Sequence, residues 1–167
     1  MMLDILLEPA YIIARTYKLG KCRSSMFDRC VYFNSNALAR AVNRIWEEAF
    51  SKYGLSPAHA YVLRYVLAKP GCTQKAIAQA LDLSESTVTR FIDVLVTKHL
   101  LERKNAEQDR RASLVNPTEK GLALQNGLET TGQALYEGMQ EMLGASRLDD
   151  LVAGMRNARE HIGTSSS

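Results

Sequence analysis

Apolar residues recur at three- and four-residue steps along most of the chain, so helices are expected to dominate. Leu3, Leu6, Leu7, Ala10, Ile13, Ala14 and Tyr17 outline a short amphipathic helix, with Pro9 inside it. Gly20 to Ser25 reads as a break. A long helix is expected from about Tyr32 to Tyr53, striped by Ala37, Leu38, Ala41, Val42, Ile45, Ala49 and Phe50 and ended by Gly54. Ser56-Pro57 then restarts a helix. Serine caps it, and proline fits the first turn, where its missing N–H costs nothing. Val62, Leu63, Val66 and Leu67 are its buried face, and Pro70-Gly71 stops it. Thr73 caps a short helix to Leu81. Asp82-Leu83 is a tight turn, and Ser84 caps a further helix to about His99, with Val88, Ile92, Leu95 and Val96 inward.

The pattern then changes period. Leu101–Lys104 and Ser113–Val115 are β-capable runs on either side of the polar stretch Asn105 to Arg111, a hairpin. Asn116-Pro117-Thr118 closes it and caps one long helix from Glu119 to about Leu143, with Leu122, Leu128, Leu135, Met139 and Met142 as its apolar face. A last helix is expected from Arg147 to Ile162, carrying Leu148, Leu151, Val152 and Met155. The fold class is therefore mainly α with a small β-hairpin wing. Four regions follow: N-terminal helices over 1–53, of which 1–25 is a dispensable extension if Met26 is an alternative start, a compact unit over 54–118, C-terminal helices over 119–162 and a flexible tail over 163–167.

Composition narrows the function classes. With 167 residues, 46% of them hydrophobic and a net charge of +3, the chain has enough apolar material for a core without disulfides or metal. Asp4, Glu8, Pro9 and Arg15 interrupt the most apolar early stretch, which fits neither a membrane span nor a secretion signal, so the cytoplasm is the expected compartment. Cys22, Cys30 and Cys72 have no CxxC spacing, which argues against a disulfide framework and a zinc site. His59, His99 and His161 stand on separate helices, and there is no glycine-rich phosphate loop or nucleophile elbow. No enzyme activity, cofactor or metal is expected.

The functional signal lies between Thr73 and Val115. Two capped helices joined by a tight turn make a helix-turn-helix, and the second helix of such a unit enters the DNA major groove. Here its first turns offer Ser86, Thr87, Thr89 and Arg90: hydroxyls for bases or phosphates, and a guanidinium that matches guanine O6/N7. Ala78 is small where the two helices must cross closely. Thr73, Gln74, Lys75 and Ser84 are further contact residues, and the two caps bring their backbone N–H groups near phosphate. On the hairpin tip, Arg110 and Arg111 suit a narrow minor groove, with Asp109 bracing one of them. Six basic residues against five acidic ones between Ser84 and Arg111 leave a net charge of only +1, so placement decides affinity.

Taken together, Leu55-Ser56-Pro57, Thr73-Gln74, the run from Ser84 to Arg90, Leu100-Leu101-Glu102-Arg103, Asp109-Arg110-Arg111 and Pro117-Thr118-Glu119-Lys120-Gly121 resemble the MarR-type winged-helix transcription regulators. The resemblance covers roughly half of the chain. It implies a homodimer joined through helices from both chain ends. It implies a pseudo-palindromic double-stranded DNA operator, and usually a repressor relieved by a small phenolic or anionic ligand or by thiol oxidation.

For a ligand pocket, Trp46, His59 and Arg64 are the candidates, with Arg64 suited to a carboxylate. For a thiol signal, Cys30 precedes the long helix, and Cys22 lies beside Lys21 and Arg23. The hydroperoxide-sensing branch of the family keeps its cysteine at the start of that helix. Here Cys30 falls two residues early, Tyr32 occupies the position, and Trp46 stands where a tyrosine is wanted. The competing reading is a winged helix used for protein–protein contact, which would need neither the Thr/Arg face nor the arginine-tipped wing.

Overall fold

The computed structural model describes residues 26–105 and 113–164. Expectations for the first amphipathic helix, for Cys22, and for Asp109, Arg110 and Arg111 lie outside those residues. The elements are α1 (Val31–Ser51), α2 (Pro57–Ala68), β1 (Cys72–Thr73), α3 (Gln74–Leu81), α4 (Glu85–Thr97), β2 (Leu101–Asn105), β3 (Ser113–Pro117), α5 (Glu119–Ala123), α6 (Gln125–Leu143) and α7 (Ala145–Thr164).

Local chemistry starts four of the helices. Ser56, Thr73, Ser84 and Thr118 have extended backbones, and their hydroxyls accept N–H bonds from His59, Ala76, Thr87 and Gly121. Each satisfies a donor that a helix N-terminus leaves without a partner. Two helices end without glycine. Asp82 and His99 take left-handed φ values of 54° and 58°, and the next residues bond back five positions, Leu83 to Ala78 and Leu100 to Leu95. These are Schellman-type ends, which capture carbonyls the helix would otherwise leave bare.

Helix α2 runs through the centre. Its Ala60, Val62, Leu63 and Val66 are fully buried, and one continuous core joins them to Phe50 of α1, Ile77 of α3, Val88, Ile92 and Leu95 of α4, Val115 of β3, and Leu128 and Leu135 of α6. Ala78 is buried at the α3–α4 crossing, the close approach its size permits.

Four expectations are corrected. The hairpin gains a third strand: β1 pairs antiparallel with β3 (Cys72 with Val115), giving the order β1-β3-β2. The carbonyl of Val115 also accepts Gly71 N–H, and Gly71 supplies the positive φ of 74° needed there. Helix α4 ends at Thr97, short of His99, because His99 is the left-handed residue that reverses the chain. The long C-terminal helix divides at Leu124, whose N–H bonds to Gly121 three residues back. This kink lets α5 press on Leu100 while α6 lays Leu128, Thr131 and Leu135 inward. The last helix is longer than expected, Ala145–Thr164, so the tail expected from residue 163 begins as helix.

The apolar stripes are only partly covered. Leu122, Met142, Val152 and Met155 are exposed, as are Val31 and Tyr32 at the start of α1. They carry apolar surface on the elements nearest the two chain ends.

Candidate nucleic-acid interface

Helices α3 and α4 and the β2–β3 ladder present one polar surface. The N-terminus of α4 is held by a cluster of hydroxyls. Ser84 Oγ accepts the Thr87 N–H at 3.2 Å and lies 2.8 Å from Thr87 Oγ1 and 3.0 Å from Ser86 Oγ. Ser84 and Ser86 are exposed, while Thr87 is half-buried. Arg90 is exposed one turn further along, and Lys75 is exposed on α3. Neither cation makes a salt bridge among the described residues.

Gln74 and Thr89, two of the expected contact residues, face each other. Gln74 Nε2 donates to Thr89 Oγ1 at 3.0 Å, and Thr89 Oγ1 donates to the Glu85 carbonyl at 2.8 Å. Arg103 of β2 completes the cluster. Its Nη2 donates to Asp93 Oδ1 of α4 at 2.6 Å and, at a longer 3.4 Å, to Gln74 Oε1. Sequence reasoning counted Asp93 and Arg103 as free charges and missed their pairing. They neutralise each other, as do Lys104 and Glu102 at 2.7 Å. Among the described residues, the basic character of this face therefore rests on Lys75 and Arg90 rather than on the strand residues; Lys98 stands at the other end of α4, its ammonium beside Gly54.

Beneath it, the expected ligand residues are dispersed. Trp46 lines an apolar cleft of about 900 Å³ between α1, α6 and α7, together with Cys30, Leu38, Tyr61, Met139 and Leu148. The Trp46 Nε1–H donates to Tyr61 Oη at 3.1 Å. His59 is not in this cleft. It stands two residues before Tyr61, and that step on a helix turns a side chain to the opposite side. Its ring meets Phe91 of α4 edge-on at 5.0 Å, and Nδ1 lies 2.6 Å from Ser56 Oγ. His59 Nε2 is buried with no hydrogen-bond partner. Burial, and secondarily the Lys98 charge, holds the His59 pKa below its ordinary value of 6.5. Arg64 lines a smaller polar pocket with Asn126, Glu129 and Glu137, and its guanidinium stacks over the Tyr61 ring at 5.6 Å.

The thiols differ in setting. Cys30 caps α1, with Sγ accepting Phe33 N–H at 3.5 Å, and opens onto the apolar cleft. Cys72 is half-buried in β1, and burial pushes its thiol pKa up, against smaller opposing effects from its own backbone and Lys69. Among the described residues no group of three or more His, Cys, Asp or Glu could hold a metal, and no helix is long and apolar enough to cross a membrane.

A family model described as the MarR family matches residues 53–112, the segment from the end of α1 to the wing. The HTH-type transcriptional regulator BilQ of Clostridium symbiosum is 33% identical over 70 residues, 42% of this chain and 49% of that protein. The alignment thus spans about half of BilQ. The HTH-type transcriptional regulator MhqR of Bacillus subtilis is 28% identical over 110 residues, 66% of this chain and 76% of that protein. Among solved structures, the transcriptional repressor CouR bound to a 23-mer DNA duplex superposes with a TM-score of 0.74 at 21% identity, covering 83% of this chain and 99% of CouR. That likeness is one of fold.

Proposed function

We propose that the chain, whose residues 53–112 match the MarR family model, is a winged helix-turn-helix transcriptional regulator: a sequence-specific DNA-binding repressor acting as a cytoplasmic homodimer on a pseudo-palindromic operator. The observation that carries this reading is the geometry of α4. Its N-terminus is capped by Ser84, it exposes Ser86 and Arg90, and Arg103 of the wing strand β2 bonds to its Asp93. Each α4 enters a major groove, and two-fold symmetry sets the half-sites about one helical turn apart. Residues 54–118 serve as the DNA-binding unit, with Thr73, Gln74, Lys75, Ser84, Ser86, Thr87, Thr89 and Arg90 as contacts and the wing arginines Arg110 and Arg111 in the minor groove.

The arms over 1–53 and 119–162 serve dimerisation. Exposed Val31, Tyr32, Val152 and Met155 supply the apolar surface that a second subunit covers. The apolar cleft, with the Trp46–Tyr61 hydrogen bond and Arg29 in its lining, fits a small phenolic or anionic effector. Such a ligand relieves repression only by its difference in affinity between the two spacings of the winged units. Cys30 opens onto the same cleft, which keeps thiol oxidation as the second reading.

The test is fluorescence anisotropy on duplexes from upstream of the protein's own gene, with and without peroxide. Saturable, salt-sensitive binding beyond a scrambled duplex is expected, with Arg110→Ala or Arg111→Ala costing about 1–3 kcal/mol. Equal retention of scrambled DNA refutes specific recognition. Release by peroxide that a reductant reverses favours the thiol reading over the effector.

A further inference from the structure

The cluster joining the wing strand to the recognition helix has a fixed hydrogen-bond direction, and Arg103 sets it. A guanidinium has donors only. The Gln74 atom that faces Arg103 must therefore be its oxygen, at 3.4 Å, which turns Gln74 Nε2 toward Thr89 Oγ1 at 3.0 Å. An amide N–H₂ also only donates, so the Thr89 hydroxyl must accept there. Its own proton goes to the Glu85 carbonyl, 2.8 Å away and one turn back along α4. The hydroxyl is left with one lone pair and no proton to offer.

We propose that Arg103 is a positioning residue for base recognition: through Gln74 it makes Thr89 an acceptor-and-methyl reader in the major groove. This inference rests on the DNA-binding reading above. In that state Thr89 can accept from the amino groups of adenine or cytosine, or meet the thymine methyl with its own. It cannot donate to guanine O6 or N7, nor to a phosphate. The anchor for Arg103 is Asp93, one helical turn beyond Thr89 on α4, at 2.6 Å. The side chains of that ion pair are 33% and 55% exposed, so it adds little stability. Its contribution lies in the direction it imposes on Gln74 rather than in holding the fold.

Arg103→Met removes the donor and frees Gln74 to turn over. Arg103→Lys keeps a donor-only group. Gln74→Met keeps the Arg103–Asp93 pair but cuts the relay, and serves if Arg103→Met fails to fold. Each variant and the parent protein is used to select from a pool of randomised 30-base-pair duplexes, and Kd is then measured on single-base variants of the selected site.

Arg103→Met and Gln74→Met are expected to lose at least ~5-fold of the base preference at one position in each half-site. Preferences elsewhere and the salt dependence stay unchanged, and Arg103→Lys matches the parent. An unchanged preference at every position overturns the proposal, as does a uniform loss of affinity without any change of preference. If the parent protein selects no sequence, the DNA-binding reading itself fails. The two failures are thereby told apart.

Discussion

Replacing Gly121 with alanine tests whether the C-terminal arm is pressed against the recognition unit. A Cβ at 121 falls on the Leu100 carbonyl oxygen well inside van der Waals contact, and lies 3.2 Å from the carbonyl carbon. Neither side can easily retreat. Leu100 is buried, its N–H donates to Leu95, and its oxygen accepts Thr118 N–H at 3.1 Å. Thr118 Oγ1 donates to the His99 carbonyl at 2.7 Å, and Lys120 Nζ to the Lys98 carbonyl at 2.9 Å. The start of α5 is thus stapled to the segment where α4 passes into β2. Overpacking of this kind costs about 1–3 kcal/mol. Losing one staple bond adds about 0.5–1.5 kcal/mol. The better helix propensity of alanine returns up to about 1 kcal/mol. The net is a destabilisation of about 0.5–4.5 kcal/mol, which for a domain of this size, at roughly 2–4 °C per kcal/mol, lowers Tm by about 1–18 °C. Thermal unfolding followed by circular dichroism, with urea titration for the free energy, measures it. The displaced residues adjoin the recognition helix and wing, so DNA affinity should fall further than the unfolded fraction explains. A variant with Tm equal to or above the parent would refute the close packing of α5 on Leu100.

Three further outcomes are expected. Arg90→Ala should weaken specific DNA binding by about 1–3 kcal/mol, concentrated at one base position per half-site; an unchanged Kd at physiological salt removes Arg90 from the interface. His59 is neutral in the fold at pH values where the unfolded chain already protonates it, because its pKa lies below 6.5. The unfolded state therefore binds more protons, and stability should fall as the pH drops below 6.5 toward the lower folded-state pKa. His59→Asn should flatten that part of the profile, and an unaltered slope in urea titrations between those limits rules His59 out as its source. Tyr53→Phe strands the Thr131 hydroxyl, which is 3% exposed and bonded to Tyr53 Oη at 2.9 Å, and should cost about 1–3 kcal/mol in urea unfolding. Adding Thr131→Val should recover part of the loss, and a double variant no better than Tyr53→Phe counts against the bond.

What could be read from the sequence divides along a physical line. The caps Ser56, Thr73, Ser84 and Thr118 were legible because each acts on a backbone N–H three residues away, a relation the local sequence already contains. The core faces of α2 and α4 followed from helical period alone. The strand β1 was not legible, since two residues show no alternation and Cys72 is extended only because Val115 arrives beside it. Leu124 gave no sign of a break either: that break serves the approach of Gly121 to Leu100, a contact between parts of the chain the pattern does not relate. Trp46, His59 and Arg64 were grouped by chemistry, and the structure separates them into the apolar cleft, the α2–α4 seam and a polar pocket. The Arg103 cluster gives the sharper lesson. Gln74 and Thr89 are expected contacts on two helices, yet the direction of their mutual hydrogen bond is set by a third residue, Arg103, which the sequence shows within the Leu100-Leu101-Glu102-Arg103 run but not as a partner of Gln74. Polar residue types mark where a nucleic acid can be met. Which of their protons and lone pairs remain free is decided by tertiary partners, so the chemistry of recognition becomes legible only once β2 is laid against α4.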